Sequence, residues 1–297
     1  MSLVDRSGLG ISLRILSGML MAGMYVSVKL VSADVPLGEI VFFRALFALI
    51  PLILFLWVRR EIKNGLATRR PLGHLQRAVF GVISLFASFA ALARLSVAEA
   101  VLLAQISPIL TAIAAIVLLS ERLTPWRVLG LALGFLGILI FGWPELGGES
   151  LDRIRLTGII LGLVSAAFSA LSLIVVRALS HTEKPGAIAL YFLLAAMAAA
   201  LFTLPWGWVL PHSRDMFALV CAGLFGGCAH IAMTLSFRYA EASRLAPFEY
   251  VAFLWPVLAE LFLFKLPLAA SFLLAAPLIL IGAAFATMES YKEADAH

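Results

Sequence analysis

Charge is scarce in this chain. Only 13% of its 297 residues are Asp, Glu, Lys or Arg, while 63% are apolar. That charged share is about half that of an ordinary soluble domain, and no globular surface can be made from it. Cysteine is scarcer still: Cys221 and Cys228 both fall in one apolar run, where they act as small apolar residues rather than as a disulfide or metal pair. All five aspartates, Asp5, Asp34, Asp152, Asp215 and Asp295, lie outside the apolar runs, and no Ser or Cys carries a motif that marks a nucleophile. An intramembrane enzyme is therefore not expected, and no catalytic residue, metal ligand or cofactor is assigned. A GxxxxGK[ST] phosphate loop is missing too, which argues against an ATP-driven pump within the chain.

What is abundant is long apolar sequence. Runs bounded by charge or by Pro and Gly turns occupy residues 13–32, 39–58, 75–93, 98–119, 124–143, 156–178, 186–205, 216–237, 244–264 and 268–288. A spanning helix needs roughly 20 mostly apolar residues, so the sequence predicts an all-α polytopic membrane protein of ten transmembrane helices. The connections left over are too short for a separate soluble catalytic domain. The first run follows Arg6 and Arg14 as a signal peptide would. It is too long for one, lacks a small-x-small cleavage site and is followed by more runs of its kind, so it reads as the first span.

The pI near 9.5 does not point to nucleic acid, because the basic residues sit between apolar runs. A cytoplasmic N-terminus puts 15 Lys and Arg inside, the cluster from Arg59 to Arg77 among them, against five outside, with Lys29 and Arg44 left in the spans. Positive residues favour the cytoplasmic side, so both termini are predicted to face it. Trp57, Trp126, Trp143, Trp206 and Trp208 fall near span ends, as an interfacial aromatic belt requires.

The second half repeats the first at a shift of 144 to 148 residues: Lys29 and the segment Leu37 to Arg44 meet Arg177 and Pro185 to Phe192, and Ala93-Arg94-Leu95 meets Phe237-Arg238-Tyr239. Each match is weak, but the common shift equals half the chain. Two five-helix repeats are expected, over 11–143 and 155–288. Five is odd, so the second must enter the membrane upside down. Inverted repeats of this kind place a substrate site near the midplane, around a central cavity.

Several segments then resemble one family. Ala98-Glu99-Ala100, Pro108, Leu119-Ser120-Glu121-Arg122-Leu123-Thr124 and Gly130, Gly134 and Gly137 are similar to the fourth helix, Glu turn and glycine-spaced fifth helix of the EamA-type branch of the drug/metabolite transporter superfamily. Arg238 to Tyr250 resembles the start of that family's ninth helix, whereas Phe264-Lys265-Leu266-Pro267 departs from it by lacking a Glu to match Glu121. The resemblance implies a bacterial inner-membrane, multi-pass exporter of small metabolites, with aromatic and neutral amino acids the nearest similarity. It also implies a small-molecule substrate and a lipid surround, with no nucleic-acid partner.

Ionisable residues inside spans are costly and mark candidate sites. Glu249, Phe253, Pro256 and Glu260 share one stripe of the ninth helix, and Glu249 is the repeat mate of Gln105 in the fourth. Substrate contact is expected at Glu249 and Gln105, with proton coupling at Glu249, Glu260 or His230. Ser84 with Ser88, and Ser165, Ser169 and Ser172, line single helix faces and serve either packing or substrate. Tyr25, Tyr250 and Trp255 offer rings for stacking. Pro108 and Pro256 permit bends. Gly130, Gly134 and Gly137 read as a packing seam, compatible with a monomer or a weak homodimer. Arg44 needs a partner that Glu39, far along the same helix, does not obviously supply.

The expected function is secondary export of small metabolites by alternating access, amino acids foremost. A multidrug exporter of the same fold is the alternative. A channel or lipid flippase is less expected, because neither a selectivity-filter loop nor an acidic ring is legible.

Overall fold

The structure is a computed structural model that describes residues 7–60, 68–107, 109–111, 113, 125–147, 152–180, 182–239, 248 and 253–294. Ten helices are traced: α1 (Ser7–Val31), α2 (Leu37–Val58), α3 (Pro71–Arg94), α4 (Val97–Ala104), α5 (Pro125–Gly147), α6 (Arg153–Ser180), α7 (Pro185–Leu201), α8 (Ser213–Tyr239), α9 (Leu254–Leu258) and α10 (Ala270–Ala294). No strand occurs among the described residues. Among the described residues five helices are long and apolar enough to cross a membrane, and Val128–Phe141, Pro185–Leu201, Leu254–Leu263 and Ala270–Gly282 form shorter apolar stretches.

Helix ends follow local chemistry. Proline opens α3 and α7, where its missing N–H is one of the orphans anyway. Asp152 Oδ1 accepts the N–H groups of Ile154 and Arg155 at the start of α6, at 3.0 and 3.2 Å. Ser96 and Glu99 close a reciprocal capping box on α4. That helix stops early: Gln105 and Ile106 form a turn before helical backbone resumes at Ser107, so the expected span 98–119 is interrupted near its start.

The turn that departs from the family pattern is held by backbone instead of a carboxylate. After α9 a π-helical turn covers Ala259–Leu263, the N–H groups of Phe264 and Leu266 donate to Ala259 and Glu260 carbonyls, and Lys265 takes a left-handed φ of 55°.

α1 packs on α8, α3 on α6, α5 on α10, and α2 on both α7 and α8. Small residues let these helices approach. A Cβ at Gly282 would lie 2.8 Å from the Gly130 carbonyl oxygen and the Gly134 nitrogen, and one at Gly137 would press on Ile279. The expected glycine seam is thus occupied within the chain. Outward faces are apolar, with Trp57, Trp126, Trp143 and Trp206 exposed near helix ends. Trp208 differs: its Nε1 donates to Thr203 Oγ1 at 2.9 Å and its ring lies 5.4 Å from Phe42, which turns it inward.

At the end of the bundle holding Trp208, buried and half-buried polar groups tie elements together. Glu39 accepts the Val209 N–H at 3.1 Å, and Arg155 pairs with Glu99 at 2.6 Å. Lys29 Nζ donates to the Leu92 and Leu95 carbonyls, at 2.8 and 2.6 Å, satisfying the end of α3. Glu260 Oε2 accepts from Val97 and Ala98, at 3.0 and 3.3 Å, at the start of α4.

Because backbone atoms at the α5–α10 crossing cannot yield as a side chain would, Gly282→Ala is expected to destabilise the protein by about 1–3 kcal/mol. Gly8→Ala, with open space around it, is expected to be neutral. Thermal unfolding of the detergent-solubilised chain checks both.

Candidate functional site

A cavity of about 140 Å³ lies between α2, α3, α7 and α8. It runs from Pro185 and Gly186, at the start of α7, inward to Arg44, and Leu52, Phe55, Leu193 and Ile231 make its apolar wall. Three basic side chains supply its polar part: Arg44 from α2, Arg77 from α3 and His230 from α8.

The sequence makes room for each guanidinium. Arg44 is 3% exposed, with Nη2 3.6 Å from Met24 Sδ. A Cβ at Gly226 would stand 3.2 Å from that Nη2. Arg77 folds along α3 over Gly81, one turn later, where any Cβ would collide with its Nη1. The Phe192 ring lies 4.1 Å from Arg77 Cζ, a cation–π contact that fixes the guanidinium plane. His230 and Thr234 are exposed to the cavity, and Thr234 Oγ1 is occupied by the His230 carbonyl at 2.8 Å.

Among the described residues the two guanidiniums meet no anion. Nε and Nη1 of both Arg44 and Arg77 are buried without a hydrogen-bond partner. Among the described residues no ion pair reaches either side chain; the pairs formed are His74 with Glu183 and Arg155 with Glu99. Arg44 and Arg77 instead lie close enough to repel one another, and both act on His230. An unpaired buried cation carries a penalty on the order of several kcal/mol, which negative charge brought into the cavity would offset.

The expected site residues are placed as follows. His230 lines the cavity. Tyr25 stands beside Ser88 and faces Arg44. Ser84 and Ser165 are engaged with each other: each hydroxyl donates to the other's carbonyl at 2.9 Å, clamping α3 to α6. Ser172 is buried and Ser169 half-buried in α6. Gln105 is the half-buried C-cap of α4. Trp255 is half-buried with its Nε1 unpartnered, and Pro256 is buried in α9. Glu260 faces the start of α4 as described above. Of the expected site residues placed here, His230 alone lines the cavity. Glu249, Tyr250 and Pro108 lie outside the described residues.

Two features escaped the sequence reading. Arg77 was grouped with the loop cluster, whereas α3 begins at Pro71 and carries it into the bundle. Its signal was Gly81 one turn later. Pro51, inside α2, abuts Gly227 beside the cavity and removes a helix hydrogen bond there.

At the end opposite Trp208, Glu183 in the α6–α7 turn collects the N–H groups of Arg69 and Arg70, at 2.8 and 3.1 Å, the Thr68 hydroxyl, and His74 at 3.6 Å. The Arg69 N–H, with the hydroxyl and His74 adding to it, holds its carboxyl below the ordinary Glu value against the opposing effect of burial.

The EamA-like transporter family profile matches residues 8–143 and again 156–288. The chain belongs to that family, and it is a multi-pass membrane protein of a transporter fold. It is 30% identical over 251 residues to the pseudopaline exporter of Pseudomonas aeruginosa, covering 82% of this chain and 83% of that one. The riboflavin transporter of Rhizobium johnstonii is 28% identical over 225 residues, 74% of this chain and 72% of that one. With an uncharacterized transporter of Helicobacter pylori the identity is 27%, and the match spans 63% of each chain. A solved crystal structure shares the fold at a TM-score of 0.66 and 21% identity, over 94% of this chain and 96% of the other.

Arg44→Met is expected to raise the unfolding midpoint of the ligand-free protein by several degrees, because it removes an uncompensated charge worth about 1–2 kcal/mol or more. Glu183 gives the opposite kind of dependence. Its folded pKa is depressed, so its contribution is complete above the unfolded value of about 4.3 and is lost as pH falls through the folded one. A midpoint-versus-pH series from 6 to about 3 should show an acid limb that Glu183→Gln flattens.

Proposed function

We propose, taking membership of the EamA-like transporter family as premise, that this chain is a secondary exporter of small carboxylate-bearing metabolites, amino acids among them. It works by alternating access across a bacterial inner membrane, with both termini in the cytoplasm and five-helix repeats at 11–143 and 155–288 inverted relative to each other. The observation that carries the substrate reading is the pair of buried, anion-free guanidiniums in a cavity between helices of both halves.

Helix pairing supports the repeat. With α1 to α5 matched in order to α6 to α10, the α1–α8 and α3–α6 contacts are the same pair with the halves exchanged. The α2–α7 and α5–α10 contacts each join a helix to its own mate. Access is read from the two ends. The cavity reaches the start of α7, on the side that the Lys and Arg distribution assigns to the cytoplasm, while Glu39, Lys29, Glu260 and the Arg155–Glu99 pair fasten the far end. These two ends support an inward-facing reading. For a zwitterion, Arg44 and Arg77 are carboxylate donors, and Glu249 is the acceptor proposed for the ammonium group.

Counterflow in proteoliposomes tests the carrier. Saturable exchange is expected, and Arg77→Gln should lower it at least about tenfold, the loss of a charge-assisted contact, without loss of folded protein. Unsaturable conductance would instead establish a channel. Repeating the measurement across an imposed pH gradient decides coupling at His230 or Glu249: a pH-independent flux removes it.

A further inference from the structure

The geometry points to an organic dianion with an apolar body as the favoured cargo of the Arg44–Arg77 cavity, and this rests on the carrier reading above. Two guanidiniums from different helices face one space, and each keeps Nε and Nη1 unsatisfied. Each guanidinium is a fixed positive charge with donors left over, which a carboxylate or phosphoryl oxygen can accept from. A monoanion answers one of the two charges and leaves the second cation buried and unpaired. A dianion answers both.

The rest of the lining agrees. Among the described residues no Asp or Glu lines it, so an ammonium group entering the described cavity meets the Arg44 and Arg77 guanidiniums with no opposing charge beside them. A neutral zwitterion is therefore disfavoured relative to an acid of the same shape. Leu52, Phe55, Leu193 and Ile231 offer an apolar wall for the remainder of the molecule, and Phe192 is already committed to Arg77. The cavity is about 140 Å³, and an apolar cavity of roughly 150 Å³ accommodates a benzene ring.

Selectivity also has a positional basis. Gly226 and Gly81 hold the two guanidiniums in place by leaving space where a methyl group would stand, so both charges are delivered by backbone geometry rather than by carboxylate partners. A carboxylate partner would have neutralised the site before any substrate arrived.

A benzyl series on the full-length reconstituted chain tests this: benzylamine, phenylalanine, hydrocinnamate, benzylmalonate and benzylphosphonate. Binding is read by ligand-induced shift of the unfolding midpoint and by competition. Expected is a dianion binding at least about tenfold tighter than hydrocinnamate, which in turn exceeds phenylalanine and benzylamine. Benzylmalonate against benzylphosphonate separates a dicarboxylate from a phosphoryl site. Arg44→Gln and Arg77→Gln should each bring the dianion down to the hydrocinnamate level, Arg44→Lys should retain part of the preference, and Gly81→Ala should weaken it by displacing Arg77.

Equal affinity across the charge series, or tighter binding of phenylalanine, overturns the inference on the wild-type chain alone, so a variant that fails to fold does not protect it. Counterflow separates the two readings. If the dianion binds but nothing in the series is moved, transport fails and the anion site stands. If phenylalanine is moved and no dianion binds, the site inference fails and the carrier stands.

Discussion

In a bilayer every backbone N–H and C=O, and every charge, must be satisfied by the protein itself. That requirement orders most of what is seen here. It selects helices, and it then has to be met where helices end within the bundle. Lys29 closes the carboxyl end of α3, Glu260 the amino end of α4, Asp152 that of α6, and Glu39 takes the Val209 N–H beside α2. Intramembrane acids and bases that look functional by position are thereby occupied with the ends of neighbouring helices. At the Arg44 and Arg77 guanidiniums, among the described residues, the same requirement is left unmet.

Helix association depends on a second scarce resource, closeness. Gly282 against Gly130 and Gly134, Gly223 against the Arg44 carbonyl, and the Ser84–Ser165 clamp bring backbones together without bulky knobs. Gly226 and Gly81 use the same smallness differently, to seat a guanidinium rather than a helix. One residue type therefore builds both the scaffold and the site, and only the neighbouring atom tells which.

The helical class and the number of apolar segments were legible because they rest on length and hydropathy, which each segment carries by itself. The π-helical turn at Ala259–Leu263 was not, since its bond pattern leaves no mark in composition. For Glu260 the expected stripe gave a direction and not the atom waiting there, which is the α4 backbone. Arg77 was misgrouped because span edges read from hydropathy are uncertain by about one turn, enough to move a long basic side chain from loop to cavity. Tyr25, Ser88 and Arg44 come from three helices, and nothing in their spacing announced that they meet.

If the proposed carrier holds the proposed dianion, its site is also an electrical object. Empty, the cavity would carry about two positive charges through the membrane field; filled by a dianion, it would carry none. A membrane potential of 100 mV acts on each charge with about 2.3 kcal/mol across the full field, so voltage would press on the return of the vacant protein and leave the loaded passage nearly untouched. With a negative interior that pull draws the empty site back toward the cytoplasm. The polarity of Arg44 and Arg77 would then set the direction of net movement, with no ion carried alongside.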